Sequence, residues 1–208
     1  MSSFTFDAKS HTYVLDGRKV PSVTQCLRAV GISPDYSRVE PGVLERKRLL
    51  GSAVSSCLHY LRQNDLDPES IAPEVGPYLE AHGLFMRDRR FKVLTVEEPH
   101  VAFLGGLPYG MKADATGLMD GEPWVIDDKI IEGSPIPAWG VQTAAYENGL
   151  SKPLIPPFHY RRASLQLFSN GKYFFKEWDD PGDLEEFKAA LFLTWRRINR
   201  GEEPWKEE

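Results

Sequence analysis

Apolar and polar residues alternate through Phe4-Thr5-Phe6 and again through His11-Thr12-Tyr13-Val14-Leu15, and Asp16-Gly17 separates the second run from Lys19-Val20. Alternation sends successive side chains to opposite faces, and Asp-Gly supplies the backbone angles of a tight turn, so the pattern predicts a small β-ribbon at the start of the fold. In Pro21-Ser22-Val23-Thr24-Gln25 a hydroxyl stands three residues before a glutamine, the spacing at which two side chains cap a helix start. Val23, Leu27 and Val30 then share one helical face until Gly31. From Gly42 to about Gln63 the apolar residues Val43, Leu44, Leu50, Val54, Leu58 and Leu61 recur every three or four positions. This predicts the longest helix, with Glu45, Arg46, Lys47, Arg48 and Arg62 facing water. Asn64 to Pro73 reads as a surface loop. Val75, Tyr78, Leu79, His82, Phe85 and Met86 predict a second amphipathic helix, followed directly by Arg87, Arg89, Arg90 and Lys92.

The period then shortens to that of strands. Val93 to Val101, Gly110 to Met119 and Trp124 to Lys129, separated by Gly105-Gly106 and Asp120-Gly121, predict an antiparallel meander. Trp139 to Leu150 reads as a helix ending in Gly149, and Arg162 to Phe168 with Lys172 to Trp178 as a hairpin turned at Asn170-Gly171. A last helix from Asp183 to Arg200 directs Leu184, Phe187, Leu191, Leu193 and Trp195 to a core. The order is mixed α and β, with no repeat and no low-complexity tract.

Composition narrows the class. At 208 residues, 41% hydrophobic and 26% charged, the chain is that of one globular domain large enough to bury a core, which excludes disordered and fibrous classes. Its formal charge of −5 provides no bulk attraction to nucleic acid or anionic membrane, so any such contact rests on a local patch. Arg87, Arg89, Arg90 and Lys92 are one candidate patch, or an ordinary solvated helix end; Arg161-Arg162 and Arg196-Arg197 carry the same two readings. Cys26 and Cys57 lie outside any Cys-x-x-Cys spacing, which excludes a cysteine-ligated zinc site. The absence of a signal-like start or a membrane-length apolar run gives a cytoplasmic reading.

The chemistry concentrates in Gly110-Met-Lys-Ala-Asp114, Trp124-Val-Ile-Asp127-Asp128-Lys129 and Gln142-Thr-Ala-Ala-Tyr146. Strand alternation puts Asp127 and Lys129 on one face and Asp128 with Ile126 on the other. Asp114 on the preceding strand reaches the face of Asp127. Paired carboxylates repel unless a cation lies between them, and hard oxygen ligands favour Mg²⁺ or Mn²⁺. Such a site suits phosphodiester hydrolysis, with Lys129 positioning the nucleophile or stabilising developing charge. Gln142 and Tyr146, at i and i+4 on the following helix, share a face beside it and are candidates for contacting DNA.

At these residues the chain resembles the PD-(D/E)XK nuclease superfamily and, within it, the RecB-like exonucleases, phage-encoded members included. Gly110…Asp114 is similar to the family's first acidic motif, Asp127-Asp128-Lys129 to its D/E-x-K motif, and Gln142…Tyr146 to the Q-x-x-x-Y motif of this branch. The opening His11-x-Tyr-x-Leu-Asp-Gly-x-x-Val-Pro-Ser-Val-Thr24 is similar to the start of phage members. The resemblance implies a restriction-endonuclease-like α/β (mixed α+β) core, a mixed central sheet flanked by helices. One domain over residues 1–208 is expected, with the N-terminal hairpin and helices to about residue 90 elaborating a nuclease core over about 91–200. It further implies Asp114, Asp127 and Lys129 as catalytic residues. The metal ligands implied are Asp114, Asp127, the backbone carbonyl of Asp128 and an acid on the strand before the first motif, Glu98 with Glu97 as its neighbour. Relatives carry a histidine in a pattern like R-G-x-x-V-H; here Leu50-Gly51-Ser-Ala-Val54-Ser55 places Ser55 there, and His59, one turn further along the same face, is the substitute candidate.

The function expected is a Mg²⁺- or Mn²⁺-dependent deoxyribonuclease, an exonuclease of recombination, repair or phage replication acting on DNA. Two alternatives stay open: a DNA-binding module with weakened chemistry, which Ser55 allows, and an interaction subunit working with a protein partner in a larger recombination complex.

Overall fold

The structure, a computed structural model, describes residues 3–34, 36, 38–151 and 159–203. The expected ribbon is three antiparallel strands, β1 (Phe4–Asp7), β2 (Thr12–Leu15) and β3 (Arg18–Val20), with Asp16 and Gly17 both at positive φ in the second turn. Tyr13 of β2 is buried against the backbone of Gly110, where a Cβ would stand 2.2 Å from the ring. Only glycine fits at that position. The Gly110 N–H also donates to the Pro21 carbonyl at 2.8 Å, which pins the ribbon to the rest of the fold. Helix α1 (Val23–Ala29) begins with the reciprocal Ser22–Gln25 cap that the sequence predicts.

Helix α2 (Pro41–Arg62) runs where expected, but its buried apolar residues, Val54 and Leu58, lie in its second half. Arg62 corrects the sequence reading: it continues the Val54-Leu58 spacing and its side chain is 2% exposed. Helix α3 (Gly76–Arg89) buries Tyr78, Ala81, His82 and Phe85 against the same side of the sheet.

The expected three-strand meander is more broken than its pattern suggests. Strand β4 (Lys92–Val96) and β5 (Pro99–Leu104) run out along one arm, and β6 (Leu107–Lys112) and β7 (Ala115–Met119) return along the other. The pairs Val96↔Ala115 and Pro99↔Lys112 keep one register across the gap, so this is a single long hairpin bent at Glu97-Glu98 and Ala113-Asp114. Glu97 sits at φ 49°, and its N–H donates to the Asp114 carbonyl at 3.3 Å.

Strand β8 (Glu122–Lys129), helix α4 (Pro137–Leu150), β9 (Arg161–Leu167), β10 (Tyr173–Trp178) and helix α5 (Gly182–Ile198) complete the fold. The central sheet has the order β10-β9-β8-β7-β4, antiparallel except for β8 and β9. Those two run parallel because α4 forms the crossover between them. One core cluster joins this sheet to α4, α5, α1 and the N-terminal ribbon through Val125, Val141, Ala145 and Phe187; the other joins it to α2 and α3 through Ile126, Leu165, Leu58 and Phe85. This mixed sheet between helices is a restriction-endonuclease-like α+β fold.

Smaller expectations are also corrected. Helix α4 continues through Gly149, whose missing side chain admits Met111. The β9–β10 turn uses positive φ at Gly171 alone, with Gly171 N–H to Phe168 carbonyl at 3.2 Å, a three-residue loop in place of the two-residue one. Leu193 is half exposed, because Thr194 and Trp195 take the core face of α5. Among the described residues no helix is long and apolar enough to cross a membrane.

Candidate active site

Strand alternation sorts the end of β8. Asp127, 4% exposed, faces α4, where its Oδ1 accepts a hydrogen bond from Gln142 Nε2 at 3.0 Å and its Oδ2 forms an ion pair with the Lys129 ammonium. Lys129 Nζ also donates to Gln142 Oε1 at 2.9 Å, and the second amide hydrogen of Gln142 reaches the Tyr146 hydroxyl at 2.9 Å. The glutamine thus spends its acceptor on the ammonium and both donors on the carboxylate and phenol, which fixes its orientation. Its spacing of four from Tyr146 on α4 brings both into one network. Lys129 lies 5.6 Å from the Trp139 ring centroid, a second restraint on the ammonium.

Asp114 lies just before β7, one residue from Ala115, which pairs with Ile126. Its Oδ2 accepts the Asp128 N–H at 2.7 Å, so it is tied to β8 between the two other aspartates. Burial, then the charges of Asp128 and Asp127, push the Asp114 carboxyl well above its ordinary range, against the pull of the Asp128 N–H and of Arg62. Burial also raises Asp127, and Lys129 opposes that rise. Tyr146 is raised by burial and by the Asp127 charge, and so remains a neutral phenol. The α4 side of β8 therefore concentrates negative charge that a cation would relieve.

On the opposite side Asp128 is held by Arg62 through two bonds, Nη1 to Oδ2 at 2.6 Å and Nη2 to Oδ1 at 2.9 Å. Burial disfavours the guanidinium charge, and Asp128, helped by Asp114 and Glu97, more than offsets this. His82 lies buried nearby with neither ring nitrogen hydrogen-bonded; burial, reinforced by Arg62, lowers it to about 4.

Asp114, Asp127, Lys129, Gln142 and Tyr146 thus come together. Glu98 does not: its side chain is 55% exposed and lies 3.8 Å from His100 Nε2. The left-handed turn at Glu97 shifts the alternation by one, so Glu97 is the acid that turns inward, ion-paired with Lys112 and 3.7 Å from His59 Nδ1. His59 therefore meets Glu97 directly, and Ser55 lines the cleft that opens onto Asp128, Lys129 and Gln142. The basic run at Arg87, Arg89, Arg90 and Lys92 lies at the other end of the sheet, since Lys92 pairs with Leu118 at the end of β7 away from Asp114. Arg162 is committed to Glu147 and Asp183 inside the fold.

Three residues of this region escape a reading of motifs: Arg62, Lys112 and Gln166. Gln166 is the β9 partner of Lys129 and donates to the carbonyls of Ile131 and Gly133 at 2.6 and 2.9 Å, fixing the chain as it leaves β8. The helical spacing of Arg62 after Val54 and Leu58 was the available signal for the first.

Among the described residues no group of three or more His, Cys, Asp or Glu side chains forms a ready-made metal cage. Mg²⁺ needs less, because it binds through one or two carboxylates and completes its shell with water and phosphate oxygens. The buried Asp127 Oδ2 lacks a hydrogen bond and has only the ion pair with Lys129, and Asp114 is strained by its neighbours' charge. This hard-oxygen pair fits a small divalent cation.

Neither a family model nor a curated protein matches the chain. Among solved structures it is similar to a protein of Eubacterium rectale described as a "putative exonuclease", at 14% identity and a TM-score of 0.55, over 90% of this chain and 83% of that one. It also matches an alkaline exonuclease of Laribacter hongkongensis at 13% identity and a TM-score of 0.38, over 88% of this chain and 95% of that one. The first likeness shows a shared fold.

Proposed function

We propose that this chain is a metal-dependent deoxyribonuclease, an exonuclease acting in DNA recombination, repair or phage replication. The observation that carries the reading is the hydrogen-bonded set of Asp127, Lys129 and Gln142, joined through Asp128 to Asp114, at the end of a central strand and beside an open cleft. Asp114, Asp127 and the Asp128 carbonyl would hold Mg²⁺ or Mn²⁺. When bound, that ion supplies charge neutralisation at the scissile phosphate and a more acidic water.

The protein's own residues do the rest. Asp127 orients the Lys129 ammonium and Gln142 braces it, so the positive charge is held in place before a phosphate arrives. In that position Lys129 stabilises the negative charge that develops on the phosphate oxygens. Gln142 and Tyr146 keep the aspartate and lysine in register, and on substrate binding Gln142 can exchange one of these partners for a phosphate oxygen. Glu97 and His59 stand further out and would shape the metal's surroundings.

A second reading is a DNA-binding module with weakened chemistry, working within a larger complex. Ser55 favours it, standing where a histidine ligand is expected. The test is incubation of the purified chain with labelled linear single- and double-stranded DNA in Mg²⁺, in Mn²⁺ and in EDTA, beside Asp127→Ala and Lys129→Ala. Metal-dependent degradation removed by both substitutions supports the nuclease. Binding without cleavage in every condition supports the module.

A further inference from the structure

The face that β9 turns to α4 is polar although it is buried: Arg162, Ser164 and Gln166 alternate there with Ala163, Leu165 and Leu167, which pack on the opposite side of the sheet. Desolvating three polar side chains is costly unless each has partners. Arg162 donates to the Gly140 carbonyl of α4 at 2.8 Å and to Asp183 of α5 at 2.7 Å, and Ser164 Oγ accepts the Trp178 indole N–H at 3.1 Å. Gln166 is used differently. Both of its amide hydrogens leave the sheet, to the Ile131 carbonyl at 2.6 Å and the Gly133 carbonyl at 2.9 Å, and its Oε1 is buried with no hydrogen bond.

The stretch it holds, Ile130 to Ile136, links the strand that carries Asp127 and Lys129 to the helix that carries Trp139 and Gln142. Pairing of β8 with β9 stops at Lys129, whose partner is Gln166 itself, so the amide continues the ladder by side chain where the backbone ladder ends. Two carbonyls two residues apart converge on one amide group, and Gly133 takes part at φ 108°, a conformation that residues with a Cβ rarely adopt. A Cβ at Gly133 would meet nothing within 4 Å, so the backbone angle and not packing requires glycine there. Ile130 and Ile131 line the cleft beside Lys129.

We infer that Gln166 is a positioning residue for the proposed site: by fixing the link between β8 and α4 it sets the Lys129 ammonium against Gln142 and Trp139. The inference rests on the nuclease reading above. The contacts to be controlled are short. Lys129 Nζ meets Gln142 Oε1 at 2.9 Å and the centre of the Trp139 ring at 5.6 Å, across the two ends of the link. A displacement of about 1 Å at such a contact lowers a rate by up to about a hundredfold. The unpaired Oε1 supports the same role. A buried acceptor without a donor costs stability, so glutamine is a poor choice for stability alone and a good one for holding two carbonyls at a fixed spacing.

The test is steady-state cleavage of labelled DNA, in Mg²⁺ and in Mn²⁺, by the full chain and by Gln166→Met, Gly133→Ala and the double variant, each well below its own melting temperature. Gln166→Met keeps the length of the side chain and removes both donors, and Gly133→Ala disturbs the same contact from the carbonyl side. The kcat should fall about thirtyfold in the first and about tenfold in the second, with KM within about twofold of the unsubstituted value. The double variant should lose about thirtyfold and not the product of the two, because both changes break one contact. A residue that only stabilises the fold would lower the melting temperature and leave kcat intact in the folded protein. Full kcat in folded Gln166→Met, a rise in KM at unchanged kcat, or losses that multiply overturn this inference alone. If Gln166→Met does not fold, Gly133→Ala decides by the same division between kcat and KM. An unsubstituted chain that cuts DNA with neither ion overturns the nuclease reading, and this inference with it.

Discussion

Asp127 and Asp128 are adjacent on β8, and both are buried and paired with a cation, yet their surroundings differ. Asp127 faces α4 and shares its partners with Lys129 and Gln142, which themselves line an open cleft. Asp128 faces α2 and α3, where Arg62 grips both its oxygens inside an otherwise apolar cluster. On the first side the bonds are branched and exchangeable. On the second they are bidentate and closed. The two aspartate side chains are equally shielded, each 5% exposed, so what separates them is how exchangeable their partners are, and the chemistry proposed above falls on the α4 side.

The comparison breaks most readily at Arg62. Arg62→Ala leaves Asp128 buried without its cation and should cost about 3–5 kcal/mol, read by denaturant unfolding, whereas Arg62→Leu/Asp128→Leu should recover most of that loss. Asp127→Asn should have the opposite profile: a folded protein whose cleavage rate falls roughly a thousandfold, the upper end for losing one charge-stabilising group. Asp127→Asn should also abolish any rise in melting temperature produced by Mg²⁺ or Mn²⁺, because the two carboxylates would no longer reward the ion.

Acid separates the two sides by sign. His82 is held at about 4 in the folded chain against an ordinary value near 6.5. As pH falls below about 6.5 the unfolded chain takes up a proton that the buried ring refuses, so stability drops until about pH 4, by roughly 3 kcal/mol. His82→Leu should remove that loss. Asp114 and Asp127 act in reverse: their raised carboxyls bind protons more readily in the folded state, so their contribution is greatest in acid and is lost as pH rises through their folded values. Their replacement by asparagine should therefore stabilise the metal-free protein at neutral pH. The smallest effect is expected for Tyr146→Phe, which removes one partner of Gln142 and should lower cleavage about tenfold with little change in melting.

Much of the α4 side was legible in the sequence, because it depends on local periods. The two-residue repeat of a strand places Asp127 with Lys129, and the spacing of four places Gln142 with Tyr146. The α2 side was not, since a charged residue on an amphipathic helix is taken as solvent-facing, and Arg62 is buried only because Asp128 waits across the core. Glu97 and Glu98 were exchanged for a related reason. The turn that decides between them is a non-glycine residue at positive φ, held by the pairing of Glu97 with Asp114 and carrying no signature in composition. Gly110 could be matched to a motif, but its physical purpose, making room for Tyr13, emerges only when residues 97 positions apart meet.

The most direct test sets the two sides against each other in one experiment: melting temperature and Mg²⁺-dependent DNA cleavage, measured for Arg62→Leu/Asp128→Leu and for Asp127→Asn beside the unsubstituted chain. The first variant should remain folded and cut DNA, since it keeps the Asp128 carbonyl and every α4-side group. The second should remain folded and fail to cut. Cleavage that survives Asp127→Asn, or that disappears in a well-folded Arg62→Leu/Asp128→Leu, would contradict the assignment of chemistry to the α4 side.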